Sequence, residues 1–290
     1  MFSFKPGTGR PALTGLAAIA ASLMLAQCDR ATTPREAPVV AEVPDAAATP
    51  PAAVVPAAVQ PLTRGELISA SGQAASAYVL GLATSDTDPL VGRTFAIRIP
   101  FGCQGPSSPV EGAAADGLAR WTWGPDRKTL QISLTPGDWI GSALTTAPDP
   151  QAAPTTWEAI EGFWVPHPWV ASESCPTLQG DPLQTAETAA SPQTVGIAAV
   201  FEAGGSRFGR RNGRAYALTL RPTGDQPLAR PPDGYRLLLE GRVVGFPGGR
   251  AIRCRAPNPD QRPVCVVAVQ LDKVAFESAR GVTLSEWREG

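Results

Sequence analysis

Two short stretches concentrate the side chains that can do chemistry. In the first, Trp157, Phe163, Trp164 and Trp169 fall within 13 residues, beside Glu158 and Glu161. Aromatic faces next to carboxylates suit sugar rings, by stacking and by hydrogen bonds to hydroxyls. Two carboxylates held about 5 to 9.5 Å apart could also cleave a glycosidic bond. The alternative is that the indoles fill a core. The second stretch, 204–214, places Arg207, Arg210, Arg211 and Arg214 among four glycines. Guanidinium forks on a pliable backbone can clamp phosphates or carboxylates. The alternative there is a solvated hairpin loop. The candidate ligand-binding residues are therefore Trp157, Trp164, Trp169, Arg207, Arg210, Arg211 and Arg214.

Other chemistries are excluded more firmly. His167 is the one histidine of the chain, set in Phe163-Trp-Val-Pro-His-Pro-Trp169. Its flanking prolines hold the backbone extended, which reads as a stiff aromatic loop rather than a general base. No phosphate-binding glycine loop, zincin helix or nucleophile elbow occurs in the sequence. No metal site and no cofactor are expected. A net charge of −1 with 18% charged residues gives no reason to expect nucleic acid.

At the N-terminus, Lys5 and Arg10 precede an uncharged run from Ala12 to Ala26, which ends in Leu25-Ala26-Gln27-Cys28. A basic region followed by about 15 apolar residues has the form of an export signal; a membrane span needs about 20. The Leu-Ala-Gln-Cys end resembles the lipobox of bacterial lipoproteins, with Gln27 where Gly, Ala or Ser is usual. The resemblance covers these residues alone. It implies cleavage after residue 27, acylation of Cys28 and anchoring to a membrane.

The cysteine count agrees with that reading. Five cysteines are an awkward number for an exported chain. With Cys28 acylated, Cys103, Cys175, Cys254 and Cys265 remain, enough for two disulfides in an oxidising compartment. Cys254 and Cys265 flank 10 residues containing three prolines, a loop that should reverse the chain and set the two side by side. Cys103 and Cys175 then pair by elimination.

Stepping outward, residues 31–62 hold 7 Pro and 10 Ala with no aromatic. Such a stretch buries too little to fold, so residues 28–63 are expected to be a tether, at most about 100 Å long at ~3.1 Å per residue. Residues 64–290 read mainly as β. Phe95, Ile97, Ile99 and Phe101 alternate with less apolar neighbours, the period of a half-buried strand. Trp121 and Trp123, then Leu130, Ile132 and Leu134, suggest a hairpin. Val195–Phe201 and Tyr216–Leu220 suggest a second pair, and Cys265–Leu271 a central strand. Helix is sparse: a weak signal over Gln73–Leu82, and a capping box, Thr283-Leu-Ser-Glu286, that should open a final turn. The expected fold is an antiparallel β-sandwich or barrel-like body with little helix. Charge divides it: residues 64–193 hold 6 Lys+Arg and 13 Asp+Glu, and residues 194–290 hold 15 and 9. An acidic subdomain (64–193) and a basic one (194–290) are expected, with one continuous domain as the alternative.

These features describe an exported, membrane-anchored protein facing the periplasm or the cell surface. Its role reads as a non-catalytic binding or structural module of the envelope. Its partner is expected to be an envelope protein, a glycan or an anionic headgroup. A hydrolase of cell-wall glycan using Glu158 or Glu161 is the alternative.

Overall fold

The computed structural model describes residues 59–82, 87–108, 115–146, 157–177, 191–202, 214–224 and 226–288. The expected signal, Cys28, most of the tether, and Arg207, Arg210 and Arg211 lie outside the described residues. The strands are β1 (Thr94–Phe101), β2 (Arg120–Trp123), β3 (Leu130–Leu134), β4 (Gly137–Asp138), β5 (Trp157–Trp164), β6 (Val195–Glu202), β7 (Tyr216–Leu220), β8 (Tyr235–Val243), β9 (Ile252–Arg255), β10 (Val264–Ser278) and β11 (Thr283–Arg288). The described helix, α1, spans Arg64–Val79. The fold is mainly β, in two sheets, and the larger sheet does not close into a barrel.

The larger sheet runs β1-β8-β10-β6-β5-β4, with β9 and β11 also paired to β10. β10 is its axis, because it is long enough to take four neighbours. Its first half, Val264–Val269, lies between antiparallel β9 and parallel β6. Its second half lies between antiparallel β8 and β11. A register shift between Leu271 and Lys273 separates the halves. Gly241 stands opposite Leu271 there, where a Cβ would meet the Gln270 carbonyl oxygen at 2.0 Å; no larger residue could sit so close.

The smaller sheet, β2-β3-β7, covers the inner face of the larger one. Alternation does this on both sides: Phe95, Ile97, Ile99 and Phe101 of β1 are buried, as are Leu130, Ile132 and Leu134 of β3. Aromatic edges join the layers. Trp121 meets Tyr235 at 6.4 Å between ring centres, and Tyr216 meets Phe163 at 6.3 Å and Trp287 at 5.2 Å. Each such pair adds about 0.5 to 1.5 kcal/mol beyond its buried area.

Four sequence expectations are corrected. Val195–Phe201 does not pair with Tyr216–Leu220: β6 joins β5 and β10, whereas β7 joins β3. The burial explains it. All of Val195–Phe201 is buried, so β6 needs cover on both faces, as parallel-paired strands do; β7 is exposed at alternate positions. Thr283–Glu286 begins a strand, not a helix, because Trp287 packs on Phe276 and Tyr216 only when β11 lies extended along β10. The tether ends sooner than residue 63: Leu62 is buried and its backbone bonds Thr94 and Ala96 at 2.9 and 3.0 Å. Finally, no boundary falls at 193/194. β1 pairs with β8 over eight residues and β5 pairs with β6, so both stretches build one sheet. Charge segregates along the chain, but the two stretches meet in space: Arg98 bonds Glu277 at 2.8 Å, and Glu173 at 3.5 Å. Residues 57–290 form one compact unit.

Helix α1 starts where Thr63 caps it. The Thr63 hydroxyl accepts from the Glu66 amide, and the Thr63 amide donates to the Glu66 carboxylate at 2.7 Å. Arg64, Leu67 and Ser71 form its buried stripe, at helical spacing. The helix is therefore longer than the expected Gln73–Leu82 and begins nine residues earlier.

Candidate functional site

The three candidate tryptophans do not share a platform. Trp157 packs on Phe246 at 5.9 Å, Trp164 on Trp139 at 4.8 Å, and Trp169 turns its ring to His167 at 5.8 Å. Trp139 lies flat over Gly162 and Gly196, where any Cβ would strike its ring. Trp169 is 60% exposed. Glu158 and Glu161 also diverge. Glu158 occupies a bulge in β5 and is exposed, whereas Glu161 is 5% exposed on the face shared by Ala159 and Phe163. Glu158 is open to solvent and Glu161 is enclosed, so the described residues do not show the two carboxylates facing one cleft, as hydrolysis requires.

His167 belongs to a structural corner. Its backbone has φ +52°, its amide donates to the Ser191 hydroxyl at 2.6 Å, and its carbonyl accepts from Arg64. Burial, and then the Arg64 charge, hold its imidazole below the usual histidine range. Arg64 also donates to the carbonyls of Val170 and Pro166 at 3.0 and 2.7 Å. Burial lowers its guanidinium to about 10, against an opposing pull from Glu173. Arg214 sits with its guanidinium 5.6 Å from the Trp287 ring centre and donates to the Glu286 carbonyl at 3.0 Å, so it braces the end of β11.

The two disulfides are Cys103–Cys175 and Cys254–Cys265. The second lies beside a feature that the sequence did not reveal. This is a groove of about 610 Å³, within the roughly 300 to 1,000 Å³ of small-ligand sites. Ala74, Ala77, Tyr78 and Leu82 form the wall from α1 and the turn after it. Ala143, Leu144 and Thr146 form the opposite wall. Ile252 and Cys254 lie along the floor, flanked by Arg250, Arg253 and Arg255. Leu82 of the α1 wall is 57% exposed, and beyond the rim Val79 and Leu80 are 67% and 69% exposed.

Among the described residues, charge in this groove is one-sided: three arginines and no acidic residue line it. Arg253 donates to the carbonyls of Thr146, at 2.6 Å, Thr145 and Pro247, and lies 4.9 Å from the Phe246 ring centre. Burial lowers its pKa; carbonyl oxygens solvate the cation without cancelling it. Arg250 stands 3.8 Å from Asp88, which accepts from the Ala251 amide at 2.9 Å. Arg255 is exposed. Among the described residues, no three His, Cys, Asp or Glu gather as a metal set, and no helix is long and apolar enough to cross a membrane.

Comparison with protein-family models, curated proteins and solved structures gives no match. The geometry must therefore carry any functional reading. What it offers is a basic, apolar-walled groove, with Glu158 exposed and Glu161 buried. Composition hid the groove because its parts come from three separate stretches. The one local signal was Thr63-Arg-Gly-Glu66, a capping box that starts the helix forming one wall.

Proposed function

We propose that this is an exported lipoprotein, anchored by acylated Cys28 and carrying a non-catalytic binding module on a tether. The observation that carries the reading is the cysteine partition. Cys103, Cys175, Cys254 and Cys265 are all consumed by two disulfides, bonds that persist in oxidising compartments. Cys28 is left as the odd thiol, directly after an export-signal pattern. The groove between α1 and β9 is the binding surface on this reading, and its partner belongs to the envelope. No specific observation favours the hydrolase alternative.

Fatty-acid labelling tests the anchor. The parent chain should take up radiolabelled fatty acid and sediment with membranes. A Cys28→Ser variant should lose the label and move to the soluble fraction. A parent that carries no label, with unchanged membrane retention of the variant, would overturn the reading.

A further inference from the structure

The floor of the groove is an open strand edge. Among the described residues, β9 pairs with β10 alone. Antiparallel pairs alternate between residues that exchange backbone hydrogen bonds and residues that do not, the latter about 4.5 Å apart. Cys254 and Cys265 face each other with Cα atoms 4.1 Å apart, the spacing of the second kind. Two further bonds agree. The Cys265 amide turns away from β9 to the Thr194 carbonyl at 2.9 Å, and Ala268 and Ala251, three positions on, are joined by a bond of 2.9 Å. The amide and carbonyl of Cys254 therefore point away from β10. Those of Ile252, two residues back on the same strand, do so too. Both residues line the groove, Ile252 is buried, and these outward groups have no partner among the described residues. Unpaired backbone in an apolar setting is costly, and its natural complement is another strand.

The walls say what strand would fit. Ile252 belongs to the main core, against which Ala74 and Ala75 of α1 pack. Arg253 and Arg255 project to the other face, that of Phe246 and Leu144. The groove thus straddles the edge, with α1 above one face and residues 143–146 above the other. A strand laid along β9 would turn alternate side chains to each wall. One set would meet Ala74, Ala77, Tyr78 and Leu82, and the other would meet the arginines.

We propose that β9 is extended by strand addition, and that its partner is an extended peptide alternating small apolar with acidic residues. This rests on the reading of the chain as a binding module and names the partner of that groove. Backbone bonds to Ile252 and Cys254 would set the register. The one-sided charge would select acidic over basic sequences.

The test uses the full chain carrying Cys28→Ser, kept free of reductant and detergent. The probes are fluorescein-labelled Val-Glu-Val-Glu-Val-Glu, the same peptide N-methylated at alternate amides, and Val-Lys-Val-Lys-Val-Lys. The Val-Glu peptide should bind, and each of the other two should bind at least tenfold more weakly. Arg255→Glu, at an exposed residue, should lessen or reverse the preference for Glu over Lys. Hydrogen exchange at the Ile252 and Cys254 amides should be fast in the free chain and slow with the Val-Glu peptide. Absence of binding, equal binding of the N-methylated or the Val-Lys peptide, or amides already protected in the free chain would overturn the proposal. Acylation of Cys28 is read separately, so the anchor can stand where the strand addition fails, and the reverse.

Discussion

The two halves of β10 share one strand but not one environment. Past the bulge at Asp272, the strand is shut in: β8 and β11 pair both edges, and Phe276, Trp287, Tyr216 and Phe101 stack edge to face over it. Before the bulge, the strand is flanked by hollows. The groove lies beside β9, and a second cavity of about 170 Å³ lies under α1, lined by Ser71, Thr194, Val195 and Cys265. The hydroxyls of Ser71 and Thr194 are buried there without a partner. A disulfide, rather than aromatic bulk, holds β9 to this half. The first half of β10 is itself buried from Cys265 to Val269; what differs is its neighbour β9, which a covalent link holds where aromatic packing holds β11. That leaves the open half room to bind.

The largest expected effect is in the closed half. Trp287→Ala removes a ring buried against Phe276 and Tyr216 and should cost about 3 to 5 kcal/mol, read by chemical denaturation. A cost below about 1 kcal/mol would mean that the aromatic cluster does not hold this half together. Next comes the open half: Cys254→Ala with Cys265→Ala should cost about 3 kcal/mol by releasing a short closed loop. The loss should be matched by reduction of the parent, once the Cys103–Cys175 bond is removed from both. If the double variant unfolds as late as the parent, the disulfide is not the substitute for packing described above.

A third, smaller change should go the other way. Thr194→Val keeps the shape and removes a buried hydroxyl without a partner. Replacement of this kind is neutral to stabilising, so the midpoint of unfolding should stay level or rise by up to about 1 kcal/mol. A loss of that size would show that the hydroxyl is bonded, for instance to a water in the cavity.

How legible these halves were in the sequence follows from how local their signals are. The strand of the open half announced itself: Cys265–Leu271 is apolar and β-branched, and the Cys254–Cys265 reversal could be argued from ten residues of loop. Alternation placed Phe95 to Phe101 and Leu130 to Leu134 on buried faces for the same reason. Pairings across long separations were not legible. β6 and β7 adjoin in sequence, yet each finds its neighbours elsewhere, because burial on two faces outweighs proximity. Thr283-Leu-Ser-Glu286 misled because a capping box is a local preference of about 1 kcal/mol, less than the burial of Trp287. Trp157, Trp164 and Trp169 are close in number, but the first two stand at opposite ends of β5 and the third lies past the corner at His167. The groove combines residues near 78, 144 and 253, so nothing short in range could reveal it.

The smallest expected effect on stability sharpens the comparison most. Arg255 is exposed at the open edge and makes no ion pair among the described residues; Arg253 is unsuitable because three carbonyls depend on it. Arg255→Ser should therefore shift unfolding by less than about 0.5 kcal/mol. Its charge has a different task. An open strand edge invites pairing with a second copy, and natural edges are guarded by charged side chains. Two β9 edges brought together would juxtapose Arg253 and Arg255 with their counterparts, a like-charge contact across a strand pair. Removing Arg255 should leave the melting temperature in place while self-association rises with concentration, read by sedimentation, and the rise should be larger at low ionic strength, where repulsion protects the parent most. The same substitution at Arg288, paired with Glu286 at 3.0 Å on β11, where Arg214 already occupies the Glu286 carbonyl, should not promote association. If both variants stay equally monomeric, or both associate equally, β9 is no more open than β11 and the contrast between the halves fails.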